Sequence, residues 1–348
     1  MKTYKYNQTF ALELGEELPY LEIAYHTYGK LNKDKSNVVW VCHALTANSD
    51  VFDWWSGLFG ENDLYNPESN FIVCANILGS CYGTTSPLQT TKNKKYHKFP
   101  MVTIRDMVNA HEVLRKHLRI EKINTIIGGS MGGQQALEWN IQQPDLFENL
   151  ILLATNARHS PWGIAFNESQ RMAIENDSTW QLSTVSAGLK GLKAARSMAL
   201  LSYRSYFAYN QTQQEIDDNK TDNFKASSYQ RYQGEKLIKR FNAFSYYRLS
   251  QAMDSHNLGR NRESIEIALR KITANTLVIG INTDFLFPPN EQRFIAKHIE
   301  NSRFVEIESF YGHDGFLVET DKLTEIIQVF FEQEIVKINR NKLMELRA

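Results

Sequence analysis

Ser130 stands in Ile126-Ile127-Gly128-Gly129-Ser130-Met131-Gly132-Gly133, the run with the clearest chemical meaning in the chain. Upstream, Ile123 to Ile127 reads as a short buried strand, and downstream Gln134 to Gln143 carries helix formers. Between a strand and a helix, Gly-x-Ser-x-Gly exposes its serine in a strained turn. Neighbours without a Cβ let the two elements pack around it. The helix start also aims free N–H groups and its positive dipole end at the place where an oxyanion would form. A serine hydroxyl is a poor nucleophile at neutral pH, so it needs a base, and the base needs an orienting carboxylate. Two positions answer that need. Asp284 follows the apolar run Thr276 to Ile281 in a loop leaving a strand, and His313 sits in Tyr311-Gly312-His313-Asp314-Gly315, between the strand-like Phe304 to Ile307 and the last helix. The alternative is a glycine-rich turn with a structural serine.

The chain order Ser, Asp, His and the strand–elbow–helix context are those of the α/β-hydrolase nucleophile elbow. Its oxyanion hole takes one amide from the residue after the nucleophile, Met131, and one from the loop after an earlier strand. Val38 to Cys42 runs into His43-Ala44-Leu45-Thr46-Ala47, which makes Leu45 the second donor, with Thr46 next to it. His43 reads as a hydrogen-bonding residue of the site wall. The remaining histidines, at 26, 97, 111, 117, 159, 256 and 298, read as solvated or packing side chains. No His/Cys/Asp cluster has ligand spacing, so no metal is expected.

These residues need elements to hold them. Glu22 to Tyr28, Val38 to Cys42, Phe71 to Ala75, Ile123 to Ile127, Leu150 to Ala154 and Thr276 to Ile281 are short β-branched or aromatic runs. Three of them, starting at Val38, Phe71 and Thr276, are nearly continuous apolar runs, as expected for parallel strands covered on both faces. Helical patterns lie between, in Val102 to Leu118, Gln134 to Gln143 and Phe316 to Phe331. Alternation of this kind predicts a mostly parallel α/β sheet flanked by helices. From about Asn156 to Arg270 the rhythm breaks into helical patterns alone: Glu168 to Asn176, Gly188 to Tyr203 and Gly234 to Met253, with a polar surface loop at Thr212 to Ser228. The expected organisation is an α/β-hydrolase core of residues 1–155 and 271–348 with a helical lid, 156–270, over the carboxyl ends of the strands.

Composition narrows the partners. The 348 residues carry 39 Lys+Arg against 39 Asp+Glu, which argues against a nucleic-acid or anionic-membrane surface as the main partner. Three cysteines, Cys42, Cys74 and Cys81, do not make a disulfide framework in so long a chain. No apolar stretch approaches the ~20 residues of a spanning helix. Met1 to Tyr6 lacks the apolar segment of a secretory signal, so a soluble cytoplasmic protein is expected.

The chain resembles the homoserine O-acetyltransferases over nearly its whole length. The resemblance runs through Cys42-His43-Ala44-Leu45-Thr46, Gly79-Ser80-Cys81-Tyr82-Gly83-Thr84-Thr85, Thr103-Ile104-Arg105-Asp106-Met107-Val108 and the elbow. It continues through Ala195-Arg196, Ser202-Tyr203-Arg204, Met253-Asp254, Gly259-Arg260 and Gly312-His313-Asp314. It implies Ser130, Asp284 and His313 as the triad, with Arg196, Tyr203 and Asp314 holding the amino-acid substrate. It also implies two-step acetyl transfer from acetyl-CoA, a co-substrate rather than a bound cofactor, to L-homoserine in methionine biosynthesis. A homodimer through the lid helices is the expected assembly. The family usually has glycine where Ala47 stands and Gly-Ser-Thr-Gly-Pro where this chain reads Gly83-Thr84-Thr85-Ser86-Pro87, two departures that flank the expected acyl pocket. The residues alone leave three other readings open. One is an esterase or thioesterase with the same triad, another a related succinyltransferase or serine acyltransferase, and the third a non-catalytic binding module.

Overall fold

Val38-Val39-Trp40-Val41-Cys42 is buried at every position in the computed structural model, which describes residues 1–89 and 94–345. The ten strands among them are β1 (Lys2–Tyr6), β2 (Phe10–Ala11), β3 (Glu17–Leu18), β4 (Leu21–Tyr28), β5 (Val38–Cys42), β6 (Phe71–Ala75), β7 (Ile123–Gly129), β8 (Phe147–Leu153), β9 (Asn275–Ile281) and β10 (Ser302–Ile307). Eight form one sheet in the order β1-β4-β6-β5-β7-β8-β9-β10, while β2 and β3 pair separately. From β6 to β10 every pairing is parallel; β4 and β1 are antiparallel additions at one edge. The all-apolar strands follow from this arrangement, because each has a core on both faces. Val38, Trp40 and Cys42 pack into one core, while Val39 and Val41 pack into the other.

The helices are α1 (Val51–Trp54), α2 (Ile104–His117), α3 (Met131–Gln142), α4 (Pro161–Glu175), α5 (Leu189–Tyr203), α6 (Tyr206–Gln213), α7 (Lys225–Ile238), α8 (Ala243–Asp254), α9 (Ile265–Leu269), α10 (Pro289–His298), α11 (Gly315–Val318) and α12 (Thr320–Glu345). Thr103 starts α2 with a reciprocal cap: its side chain accepts from the Asp106 amide, and the Asp106 carboxylate accepts from the Thr103 amide at 2.8 Å. Asp106 also accepts from the Glu13 amide at 2.7 Å. Arg105 and Arg260 share Glu13, and Arg105 and Arg262 share Glu138, so this motif ties the N-terminal loop, α2, α3 and the stretch after α8 together.

All helices from α4 to α9 lie between β8 and β9. The two ends of this insertion are joined at its neck, where Arg158 bridges Asn257, the His159 amide donates to His256 and the Leu258 amide to Ala157. Asp254 adds an ion pair to Arg171 at 2.5 Å and accepts from Asn167 at 2.8 Å.

The expected loop at Thr212 to Ser228 is shorter than the sequence implied. Helix α6 fills 206–213 and α7 already begins at Lys225. Gly234 looked like a helix start but lies inside α7, where the missing Cβ lets that helix press on Lys193 of α5. The closing helix is also broken, since Glu319 departs from helical ψ between α11 and α12.

Burial strips water from the charged form of four core histidines, holding His43, His111 and His159 down to about 4 and His256 to about 3. The unfolded chain takes up their protons below about 6.5, whereas the folded chain does not until about 4. Stability present above pH 6.5 is therefore lost as pH falls through that window, at up to about 1.4 kcal/mol per pH unit for each histidine. Urea midpoints measured from pH 7 to 5 should fall steadily; a flat or rising series would mean that these imidazoles are charged in the fold.

Candidate active site

The serine of the elbow caps the N-terminus of α3 with φ 56° and ψ −126°, a conformation rare for a residue with a Cβ. Its amide donates to Leu153 of β8 at 2.9 Å, and its carbonyl accepts from the Thr155 hydroxyl at 2.7 Å and the Gly133 amide at 3.0 Å. A Cβ on Gly132 would lie 2.0 Å from the Cys42 carbonyl oxygen, so the first turn of α3 rests directly on the end of β5. That contact brings Met131 beside the segment His43-Ala44-Leu45. Among the described residues the Leu45 and Met131 amides donate to no other group, and both residues are buried. A free N–H at a helix N-terminus, with a second in the loop beside it, is what an oxyanion needs.

Asp284 and His313 meet across the loops that follow β9 and β10. The His313 Nδ1–H donates to Asp284 Oδ2 at 2.7 Å, which leaves Nε2 as the basic nitrogen. The other carboxylate oxygen accepts from the Leu286 and Phe287 amides at 2.8 and 2.9 Å, so the Asp284 side chain is held at both oxygens. The two loops are sewn together by Asn282, which accepts from the Ser309 amide, and by Thr283, which accepts from the Gly312 amide. The His313 ring is stacked on Phe287 at 5.0 Å and meets Phe316 edge-on at 5.3 Å, and Phe316 also covers Gly129 beside the serine. Ser130 is 6 % exposed, Asp284 2 % and His313 4 %, so little water reaches the three.

The insertion reaches the His313 turn through the end of α5, and its Arg240 also donates to the Thr46 carbonyl at 2.5 Å. Gly312 has φ 70°, and a Cβ there would meet the Ser205 amide at 2.7 Å and the Tyr203 carbonyl at 3.0 Å. The end of α5 therefore lies against the turn that carries His313. The Tyr203 ring is 5.8 Å from His313, and the Arg196 guanidinium stands over Tyr203 at 5.4 Å. Asp314 pairs with Arg204 at 3.2 Å, a partner that the motif Ser202-Tyr203-Arg204 contained and the sequence reading passed over. Burial raises the Asp314 carboxyl above its ordinary range, against the opposing pull of Arg204, Arg196 and His313. Tyr246, also unforeseen, is buried beside Tyr203 and donates to Gln170 at 2.5 Å.

Thr84, where the chain departs from the usual family pattern, and Thr85, where it keeps it, have a local use. Their hydroxyls accept from the Ala24 and Glu22 amides at 3.0 and 2.8 Å, covering the part of β4 that β6 does not pair with. Among the described residues no group of three or more His, Cys, Asp or Glu side chains is placed to hold a metal ion, and no helix is long and apolar enough to cross a membrane.

Residues 37–320 match the family model of the α/β hydrolase fold. A homoserine O-acetyltransferase of Cyclobacterium marinum is 50 % identical over 327 residues, 93 % of either chain. The chain belongs to the homoserine O-acetyltransferase family. The structure of the homoserine O-acetyltransferase from Staphylococcus aureus superimposes on this family member with a TM-score of 0.78 at 28 % identity, covering 94 % of both chains. Esterase E22 superimposes with a TM-score of 0.86 at 22 % identity, covering 94 % of this chain and 98 % of its own, a likeness of fold alone.

Within this family member the elbow depends on the bare Cα of residue 132. Gly132→Ala should destabilise the fold by about 2 kcal/mol or more, because the Cys42 carbonyl belongs to a central strand and cannot retreat. It should also separate Met131 from the His43–Leu45 segment. Chemical denaturation and titration of reactive Ser130 together check this; wild-type values in both would show that the contact is slack.

Proposed function

We propose that the protein transfers an acetyl group from acetyl-CoA to the hydroxyl of L-homoserine through an acetyl-serine. In the first step His313 Nε2 takes the proton of Ser130 as Oγ attacks the thioester carbon. The C–S bond breaks, the sulfur takes that proton, and CoA leaves as the thiol. The Leu45 and Met131 amides face the oxyanion of the tetrahedral intermediate, each worth about 3 kcal/mol of barrier. In the second step the homoserine hydroxyl gives its proton to His313 and attacks the acetyl carbon. The ester bond to Ser130 breaks and the serine recovers the proton. No cofactor takes part in either step.

The observation that carries this reading is Arg196. Its guanidinium is half-buried, stands over Tyr203 beside the base, and has no ion-pair partner among the described residues. A planar donor fork left open beside a catalytic base suits a substrate carboxylate. Asp314, on the other side of His313 in sequence, supplies the charge for the substrate ammonium, with Arg204 holding its carboxylate. An esterase needs neither charge. The Thr84 hydroxyl is committed to β4, so its departure from the family pattern does not change the reading of the acyl donor as acetyl-CoA.

The insertion serves as the lid, and the apolar side chains it exposes, including Leu201, Tyr206 and Phe207, are the surface through which a homodimer would form. Both substrates are cytoplasmic metabolites, which places the enzyme there. Its product, an amino acid with an activated side-chain oxygen, is the form in which homoserine accepts sulfur on the way to methionine.

One serine visits both substrates in turn, so double-reciprocal initial-rate plots should be parallel. Converging lines with no isolable acetyl-enzyme would mean direct transfer in a ternary complex. Arg196→Ala should leave acetylation of Ser130 within a few-fold of wild type and slow transfer to homoserine by about 2–5 kcal/mol, since the substrate carboxylate loses its partner. Single-turnover measurement of the two half-reactions decides it. Equal slowing of both, with a lower melting temperature, would make Arg196 a packing residue.

A further inference from the structure

A chain of hydrogen bonds ends on the peptide that carries the Leu45 amide. His43 is fully buried, and the Ile77 amide donates to its Nε2 at 3.0 Å. Nε2 therefore keeps its lone pair, the ring proton sits on Nδ1, and Nδ1–H donates to the Ala44 carbonyl at 2.8 Å. The Ala47 amide donates to the same carbonyl at 3.1 Å. That carbonyl and the Leu45 N–H are opposite ends of one planar peptide unit. Behind it, His111 Nε2 donates to Gln135 Oε1 at 3.0 Å, which orients the Gln135 amide to donate to the His43 and Met131 carbonyls, each at 3.1 Å. One side chain thus ties together the two segments that present free amides.

We propose that His43 is a positioning residue of the oxyanion hole: as the neutral Nδ1–H tautomer it locks and polarises the Ala44–Leu45 peptide, so that the Leu45 N–H is aimed at the acyl oxygen before charge develops there. The inference rests on Leu45 and Met131 being the oxyanion donors. Two donors on the Ala44 oxygen draw electron density toward it and make the N–H across the same peptide a stronger donor. They also stop the peptide from rotating toward another acceptor, so no reorganisation is needed during the reaction. Burial keeps the imidazole neutral, holding it down to about 4, so the lone pair facing Ile77 is present throughout the working range. A wall-packing ring would fill the same volume with either nitrogen protonated. The Ile77 amide selects the tautomer that serves the loop.

Two substitutions separate aiming from packing. His43→Asn keeps an N–H near the Nδ1 position for the Ala44 carbonyl and abandons Ile77. His43→Gln keeps an acceptor near the Nε2 position for Ile77 and leaves the Ala44 carbonyl with one donor fewer. The rate of Ser130 acetylation by p-nitrophenyl acetate, read as the p-nitrophenolate burst, needs neither CoA nor homoserine. Expected is a burst rate about 10- to 100-fold lower in His43→Gln with an unchanged melting temperature and KM. His43→Asn should stay within a few-fold of the wild-type rate despite a lower melting temperature. Affinity for a trifluoromethyl-ketone analogue of acetyl-CoA, whose adduct carries an oxyanion, should fall in the same order. A wild-type burst in His43→Gln, or rates that follow melting temperature instead of the retained donor, would overturn the inference. A burst in the wild type without transfer to homoserine would sink only the acceptor assigned above, leaving the comparison of the His43 variants intact. No burst and no acetyl on Ser130 in the wild type would sink the oxyanion donors and His43 with them.

Discussion

The backbone of Ser130 is held where a residue with a Cβ rarely goes, and the restraint comes from both neighbouring strands. Its amide is bound to β8, its carbonyl to Thr155 just beyond β8, and the turn that follows rests on the last carbonyl of β5. Strained turns persist only when their surroundings over-determine them. Here the surroundings are the central strands β5, β7 and β8, whose parallel pairing brings three carboxyl ends to one edge of the sheet. The same edge receives β9 and β10, whose loops carry Asp284 and His313. The order of the sheet is in this sense a structural requirement: moving any of these strands would release the Ser130 turn or part it from the Asp284–His313 pair.

Two parts of the chain then meet at the site with different duties. The core fixes groups that are buried and already hydrogen-bonded, such as Asp284 with its three donors. The insertion brings charges, Arg196 and Arg204, and two tyrosines, through the close approach of Gly312 to the end of α5. A larger residue at 312 would force the His313 turn and the α5 end apart. Groups that must not change charge, including His43 and His111, are neutral and lie inside the core. Asp314, which faces two guanidinium groups and His313, lies at the seam between the two parts.

Much of this was legible in the sequence, for a physical reason. Strands covered on both faces write continuous apolar runs, so β5, β6 and β9 could be read directly, and the elbow writes its glycines because close backbone contacts forbid a Cβ. The chain order of Ser130, Asp284 and His313 reads as a triad, and the structure brings Asp284 and His313 together. What could not be read depends on contacts between segments distant in sequence. The Asp314–Arg204 pair joins residues 110 apart, and the hydrogen bond from Ile77 to His43 spans a crossover between strands. Glycine misled once, at Gly234, because a glycine used for helix–helix contact looks the same in one dimension as a glycine that ends a helix. Short edge strands such as β1, with exposed polar side chains, carry little pattern at all.

On the proposed reaction, a serine acyl-enzyme narrows the place where transfer and hydrolysis can part. Acylation of a serine asks the same of a transferase and a hydrolase: a nucleophile, a base and an oxyanion hole, which the proposed reaction assigns to the core. Deacylation differs only in which hydroxyl arrives. Water at about 55 M outnumbers a millimolar amino acid by some 10⁴- to 10⁵-fold, so transfer must be favoured by about 6 kcal/mol to draw level. Effective molarities of well-positioned reactants supply about 7–11 kcal/mol, enough to close that gap without excluding every water. Such positioning needs an acceptor held at two points, and homoserine offers two charges for the purpose. Arg196, over the Tyr203 ring beside His313, and Asp314, next to His313, are the charges proposed to hold homoserine, and Arg196 has no ion-pair partner among the described residues. On the proposed reaction, the choice between alcohol and water is thus made by the geometry of two charges around His313, and the core chemistry needs no change to become a transferase.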